Sequence, residues 1–286
     1  MAIAMSPFRN ILIAFLISSS ALFNICRASS GGGGEVAHEK PFTYEDTDVV
    51  KGPKKWGTLK PEWKICGNGK LQSPVDIINE IVQVQESLGS LQIMYKTTPA
   101  NITNRGHDIS VAWEGEAGGV IINCTHYKLA QIHWHSPSEH TVNGTSYDLE
   151  GHIVHKSVDG GIAVIGILYK IGNPDPFLSK VLGNIKTITE EGTDLGDINP
   201  NDIIFNRNQY YRYIGSLTTP PCTEGVIWTV IKEVRTVSVE QLNALKDAVH
   251  DGYEKNARPV QNANGRIINL SSQDSTIFSL VKSSTN

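Results

Sequence analysis

Nine histidines occur in this 286-residue chain, and six of them fall between His126 and His155. Two of the six, His133 and His135, sit two apart in the run Lys128-Leu-Ala-Gln-Ile-His-Trp-His135. Side chains alternate across a β-strand, so residues two apart project from one face. Gln131 shares that face. In a second run, Glu150-Gly-His-Ile-Val-His155, the side chains of Glu150, His152 and Val154 share a face and His155 points the other way. If the two runs are neighbours, three imidazoles converge. Three protein ligands with a fourth position left for water is the arrangement of a catalytic zinc. A zinc-bound imidazole also needs its second ring nitrogen held by an acceptor, which fixes the tautomer. Gln131 and Glu150 each precede a candidate ligand by two positions on the same face.

The elements that must position these residues are short β-type runs separated by turn residues. Alternation recurs in Asp108–Trp113, and Gly161–Tyr169 is apolar on both faces, which predicts a central strand. Gly225–Ile231 reads as another. Helical periodicity is confined to Pro176–Thr189 and Val239–Tyr253, the second with Ser238 as its N-cap. No internal repeat or linker divides residues 36–286. The pattern predicts a mainly β, single-domain protein: one large twisted central sheet with peripheral helices, over 51–275.

Arg9, the apolar run Ile11–Ile25 and Cys26-Arg27-Ala28 have the order of a signal peptide over 1–28. The run is short for a membrane span, which needs about 20 apolar residues. A Ser/Gly tract follows, so 29–50 is expected to be a flexible leader and 276–286 a tail. The formal charge is −4, with no basic cluster of the kind a nucleic-acid surface needs. Removal of the signal takes away Cys26 and leaves Cys66, Cys124 and Cys222, of which two can pair in an oxidising compartment in any of three ways. Four sequons, at Asn101, Asn123, Asn143 and Asn269, are glycosylation candidates in that compartment.

Long motifs in fixed order then carry a resemblance. They are Lys55-Trp-Gly, Gln72-Ser-Pro-Val-Asp-Ile, Asn104-Arg-Gly-His, Gln131-Ile-His-Trp-His-Ser-Pro-Ser-Glu-His140, Glu150-Gly-His-Ile-Val-His155, Ala163-Val-Ile-Gly, Gly215-Ser-Leu-Thr-Thr-Pro-Pro-Cys222 and Asn256-Ala-Arg-Pro. The chain resembles the alpha carbonic anhydrases, most of all their secreted plant branch. The resemblance implies a fold of about ten mostly antiparallel strands. It implies zinc (Zn2+) on His133, His135 and His152, with Gln131, Glu150 and the Asn256 carbonyl holding the outer ring nitrogens. The activity it implies is reversible hydration of CO2 to bicarbonate and a proton, by attack of a hydroxide held on the metal. Thr218 matches the family's gatekeeping threonine, which orients that nucleophile, and Glu139 its buried acceptor. Val154, Val164, Leu217, Val226 and Trp228 match the apolar wall where CO2 rests, and Thr219 a second polar pocket residue. Cys66 and Cys222 match the family's disulfide. Cys124 is then the free thiol, expected as a small buried hydrophobe on a strand.

His107 matches the proton shuttle. Water on the zinc has a pKa near 7 in carbonic anhydrases. With recombination no faster than about 10¹⁰ M⁻¹s⁻¹, release straight to solvent is limited to roughly 10³ s⁻¹, against about 10⁶ s⁻¹ for fast members of the family. A histidine bridges that gap because its pKa lies near 6.5, and Gly106 is expected to leave its ring room to move. Two departures from animal members stand out. Thr58 replaces a tyrosine expected after Trp56-Gly57, and Arg105 adjoins His107. The second functional reading is a storage or defence protein on the same fold, as in the related dioscorins. A third is a metal-free binding module. The intact triad argues against both. The expected partners are CO2 and bicarbonate, with no nucleic acid and no membrane after signal cleavage, in a monomer or dimer. The route is secretory, to the apoplast or secreted fluid, with the chloroplast also reached that way by some plant members.

Overall fold

The computed structural model describes residues 42–250 and 252–271. The expected signal segment 1–28, the leader as far as residue 41, and the tail 276–286 lie outside the described residues.

β-branched and aromatic residues recur with period two along the described chain, and they build one sheet of 13 strands. Ten of these form a continuous path: Thr193–Ile198, Thr98–Asn104, Ile109–Trp113, Thr125–His135, Leu149–Lys156, Ile162–Ile171, Glu224–Ile231, Tyr210–Ser216, Asn269–Leu270 and Gln83–Val84. Three more attach beside it, Gln92–Tyr95, Gly118–Ile122 and Arg235–Val237. Most pairs are antiparallel. Ile162–Ile171 runs parallel to both Glu224–Ile231 and Arg235–Val237, and is buried on both faces for most of its length, as its apolar composition predicts.

The sheet separates two cores. On one face Ile132, Ile153 and Ile165 pack against Phe177, Leu178 and Leu245 of the two helices. On the other, Val154, Val164, Leu217, Val226 and Trp228 form a second cluster. A bulge at Ala130 decides which side the histidines take. Leu129 lies opposite His155, and Gln131 lies opposite Val154, so one strand carries an extra residue. Leu129 and Ile132 therefore both reach the helix side. Gln131 and His133, although in step with Leu129 by residue count, are turned to the other face.

Both helices begin where side-chain caps predict. Asp175 Oδ1 accepts from Leu178 N, and Ser238 forms a reciprocal capping box with Gln241. Both end earlier than their periodicity suggests, at Ile185 and Ala248. For the second the reason is tertiary. Asn104 Nδ2 donates to the Ala248 carbonyl at 2.6 Å, and His250 N donates to Gly106 O at 2.9 Å, so the chain is drawn out of the helix toward the 104–107 turn.

Two further expectations change. Phe42 and Tyr44, inside the span read as a leader, are buried with Trp56, Trp63, Tyr253 and the Cys66–Cys222 disulfide. Cys124 is exposed, not buried. It shares with Asn123 a two-residue turn between Gly118–Ile122 and Thr125–His135, and both residues have positive φ, 48° and 62°. A tight hairpin requires that backbone and turns both side chains outward. The disulfide spans 156 positions, and on the chain-entropy model such a closure contributes on the order of 5 kcal/mol. Of the sequons, Asn123 and Asn143 stand in exposed turns, Asn269 is half-buried, and Asn101 lies mid-strand with its Oδ1 buried.

His155 faces away from His152, as alternation requires, and is fully buried. Tyr95 Oη lies 2.7 Å from its Nε2, and its Nδ1 lies 3.2 Å from the Ala163 carbonyl. Tyr95 donating and Ala163 accepting is the pattern of a neutral ring. Burial pushes the His155 pKa down from 6.5 to about 4. Between those two values the unfolded chain takes up a proton that the folded chain refuses. Stability contributed by this residue is therefore complete above about pH 6.5 and declines by on the order of 3 kcal/mol as pH falls to about 4. Urea unfolding measured from pH 7 to 4 should show a shallower loss of stability in His155→Gln than in the parent chain; equal slopes would remove His155 as the cause.

Candidate metal centre

His133 and His152 occupy directly opposed positions of neighbouring antiparallel strands, and His135 follows on the same face. The register of one strand pair therefore brings the three rings together. Their centroids are 5.0 Å (133–135), 5.2 Å (133–152) and 4.6 Å (135–152) apart. All three side chains are buried, and each offers one ring nitrogen within 4.8 Å of the other two.

Each ring is held by its other nitrogen. His133 Nδ1 donates to Gln131 Oε1 at 2.9 Å, His135 Nδ1 to the Asn256 carbonyl at 2.7 Å, and His152 Nε2 to Glu150 Oε1 at 2.9 Å. These partners place the lone pairs on Nε2 of His133, Nε2 of His135 and Nδ1 of His152. His135 Nε2 is fully buried and has no hydrogen-bond partner. A buried polar atom without a partner costs free energy unless something binds there. Three neutral imidazoles with fixed tautomers and an inward lone pair fit a zinc ion. A second grouping, His140, Glu150 and His152, has comparable spacing but its atoms are already engaged. His140 Nδ1 donates to Glu150 Oε1 at 2.7 Å, and Glu150 Oε2 accepts from the backbone N–H groups of Glu139 and His140 at 2.9 and 2.8 Å.

Behind His152 the hydrogen bonds continue. His140 Nε2 meets Tyr213 Oη at 2.6 Å, and Tyr213 Oη meets Ser73 Oγ at 2.8 Å. Burial alone would raise the Glu150 pKa, but His140 and His152 hold it well below the usual carboxylate range. Gly215 makes room for this array, since a Cβ there would lie 2.1 Å from Ser73 Oγ. The sequence reading missed Tyr213 and Ser73; the signal was the Gln72-Ser-Pro segment, whose place beside Gly215 depends on the fold.

Glu139 lies on the other side of the histidines, with Oε1 3.6 Å from His135 Nδ1. Oε1 accepts from Arg258 N at 2.8 Å, while Oε2 is buried without a partner. Arg258 also went unrecognised from sequence. Its buried guanidinium donates to Gln72 Oε1, Ser73 O and Cys66 O at 2.8–3.0 Å and lies over the Trp56 ring. Burial lowers its pKa to about 10, opposed by the Glu139 charge. Thr218 and Thr219 are buried at the end of the Tyr210–Ser216 strand, and the Thr219 carbonyl accepts from Cys222 N at 2.8 Å. Val154, Val164, Leu217, Val226 and Trp228 gather in one cluster, with the Trp228 ring 4.8 Å from that of His152.

A family model of the eukaryotic-type carbonic anhydrases matches residues 51–272, most of the chain and all of this site. The chain belongs to that family. It is 54% identical to alpha carbonic anhydrase 4 of Arabidopsis thaliana over 246 residues, covering 86% of this chain and 90% of that one. It is 46% identical to carbonic anhydrase Nec1 of Nesocodon mauritianus over 243 residues, covering 82% and 87%. Among solved structures, dioscorin complexed with ascorbate superposes with a TM-score of 0.79 at 42% identity, covering 82% of this chain and 98% of that one. The alpha carbonic anhydrase of Thermovibrio ammonificans, in complex with the inhibitor sulfanilamide, gives 0.73 at 36%, covering 83% and 100%.

Within this carbonic anhydrase the two departures read from sequence take on different meanings. Thr58 is on the surface, its hydroxyl donating to Lys55 O. The tyrosine that packs beside His107 is Tyr253, with ring centroids 6.4 Å apart; the Phe42 ring lies 5.8 Å from that of His107, and Tyr44 packs against both Phe42 and Tyr253. Arg105 is matched by Asp108, through Nε to Oδ1 at 2.7 Å and Nη2 to Oδ2 at 2.5 Å. Burial would raise the Asp108 pKa, but Arg105, His107 and His133 hold the carboxyl ionised. His107 is 1% exposed, and the space beside Gly106 is taken by the His250 ring, 3.0 Å from where a Cβ would stand. His133→Ala should lower zinc content by at least about tenfold, read by elemental analysis after gel filtration. Retention of one zinc per chain in that variant would remove His133 from the ligand set.

Proposed function

We infer that the chain binds one zinc ion at His133, His135 and His152 and catalyses the reversible hydration of CO2 to bicarbonate and a proton. The observation that carries this reading is the convergence of three buried imidazoles whose outer nitrogens are all held by acceptors. Zinc, when bound, supplies a Lewis acid that brings the pKa of water to about 7, the established value for carbonic anhydrases.

The chain's own residues do the rest. Gln131, the Asn256 carbonyl and Glu150 keep the three rings in the tautomers that zinc requires. Glu139 presents a buried, partnerless Oε2, and a Thr218 hydroxyl donating to it must accept from the nucleophile. That fixes which lone pair faces the substrate, a positioning effect. Val154, Val164, Leu217, Val226 and Trp228 offer CO2, which carries no charge, an apolar wall, with Thr219 at its edge. His107 takes the proton released in each cycle, and the Asp108 carboxylate lies 3.5 Å from its Nε2. The disulfide fits export through the secretory pathway, which would bring Asn123 and Asn143 past the glycosylation machinery in exposed turns.

A storage or defence role on the same fold is favoured by one finding, the likeness to dioscorin. CO2 hydration by the purified chain separates the two readings. The enzyme should hydrate CO2, lose the activity to a zinc chelator, and regain it with zinc. No hydration with zinc bound would favour storage. Glu139→Ala and Thr218→Ala should keep zinc and lose about 10²-fold or more in kcat/KM, because they orient without ligating. Loss of zinc in either would assign it a structural role instead. His107→Ala should keep zinc and kcat/KM but lower kcat at least about threefold in weak buffer, with imidazole restoring the rate. An unchanged kcat would show that protons leave by another route.

A further inference from the structure

Asn256 enters the metal centre through its backbone carbonyl, but its side chain makes a separate set of contacts. Its Oδ1 accepts from Ser136 N at 2.8 Å. Its Nδ2 donates to Trp134 O at 3.2 Å and to His107 O at 2.7 Å. Its own N–H donates to Ser136 O at 3.0 Å. The residue is 4% exposed, so each of these contacts is shielded from water. One amide thus grips the metal-binding strand on both sides of His135, while its remaining hydrogen grips the backbone of His107.

Other bonds of the 104–108 turn stay within it or reach the end of the second helix, and the strand that follows joins the metal-binding strand through the Ser110–His133 pairing. Arg105 N donates to Asp108 O, Asn104 Oδ1 accepts from Gly106 N, and Asn104 Nδ2 and Gly106 O both contact the end of the second helix. Those bonds shape the turn and dock it on the helix, whereas Asn256 spans from the turn to the strand that carries His133 and His135. Because His107 is buried, its ring has little freedom to compensate for a displaced backbone. Transfer steps lose rate steeply when the reacting groups are misplaced by about an ångström.

We propose that the side-chain amide of Asn256 is a positioning group that fixes the His107 backbone relative to the metal-binding strand and so sets the path along which the proton leaves. This rests on the reading of His107 as the proton acceptor. Asn256→Asp keeps the acceptor toward Ser136 N and the carbonyl toward His135, and replaces the donor toward His107 O and Trp134 O. Because the Asn256 carbonyl also holds His135, kcat is read against kcat/KM and bound zinc in the same variant: in weak buffer kcat should fall at least about threefold further than kcat/KM does, with imidazole restoring that difference. Backbone amides of 106–109 should exchange with deuterium at least about tenfold faster. In a His107→Ala background the same substitution should lower kcat no further.

Unchanged exchange at 106–109 would overturn the proposal. So would a kcat loss of the same size in the His107→Ala background, or a joint loss of zinc and kcat/KM that imidazole does not mend. If His107→Ala alone leaves kcat unchanged, the proton-acceptor reading fails by itself, and the mechanical link is then decided by the exchange rates. Should Asn256→Asp not fold, Asn256→Gln carries the same amide one methylene further out, and the same readouts apply.

Discussion

The register between Thr125–His135 and Leu149–Lys156 is the constraint on which the rest of this molecule depends. It sets His133 directly across from His152, and the bulge at Ala130 turns Gln131 and His133 to the face that carries Val154 while Leu129 stays on the other. A slip of one residue would exchange the two faces of a strand. It would put imidazoles against the helix-side core and isoleucines among the second cluster, beside Val154 and Trp228. The register is protected on both sides, because Ile132 and Ile153 are fully buried under the helices in that alignment. Hydrophobic packing on one face thus fixes the geometry of the three imidazoles on the other.

Charge burial follows from the same alignment. The ring nitrogens turned away from the centre need acceptors, and Glu150 serves both His140 and His152 while accepting two backbone amides. An ionised carboxylate in a dry interior is tolerated only when its oxygens are this fully engaged. Arg258 is the complementary case, a buried cation solvated by carbonyls and the face of Trp56. Its backbone amide orients Glu139, so the aromatic cluster around Phe42 and the metal centre are mechanically continuous through one residue.

Alternation was enough to place Gln131, His133 and His135 on one face, and Glu150 with His152 on another, because a strand's geometry is local. Motif order added the wall, Glu139 and Thr218, and the family match now agrees with that resemblance. What stayed hidden was whatever depends on contacts far apart in sequence. Tyr213 reaches His140 across 73 positions, and Ser73 reaches Tyr213 across 140. The early end of the second helix is imposed by Asn104, 144 positions away. Cys124 read as part of a strand because the left-handed backbone of its two-residue turn leaves no strong mark in Asn-Cys. Phe42 and Tyr44 were grouped with a Gly/Ser leader on composition, although two aromatic residues two apart already marked a buried segment.

Asn256 and Arg258 also have a temporal meaning. They orient His135 and Glu139 from 121 and 119 positions further along the chain. During synthesis, at about 5–20 residues per second, the three histidines leave the ribosome many seconds before these partners exist. Until then His135 has no acceptor to set its tautomer, and the disulfide still lacks Cys222 as its second half. A fully shaped binding site therefore cannot form on the nascent chain. Any metal that the three imidazoles take is acquired late, after residues 256 and 258 have joined the fold.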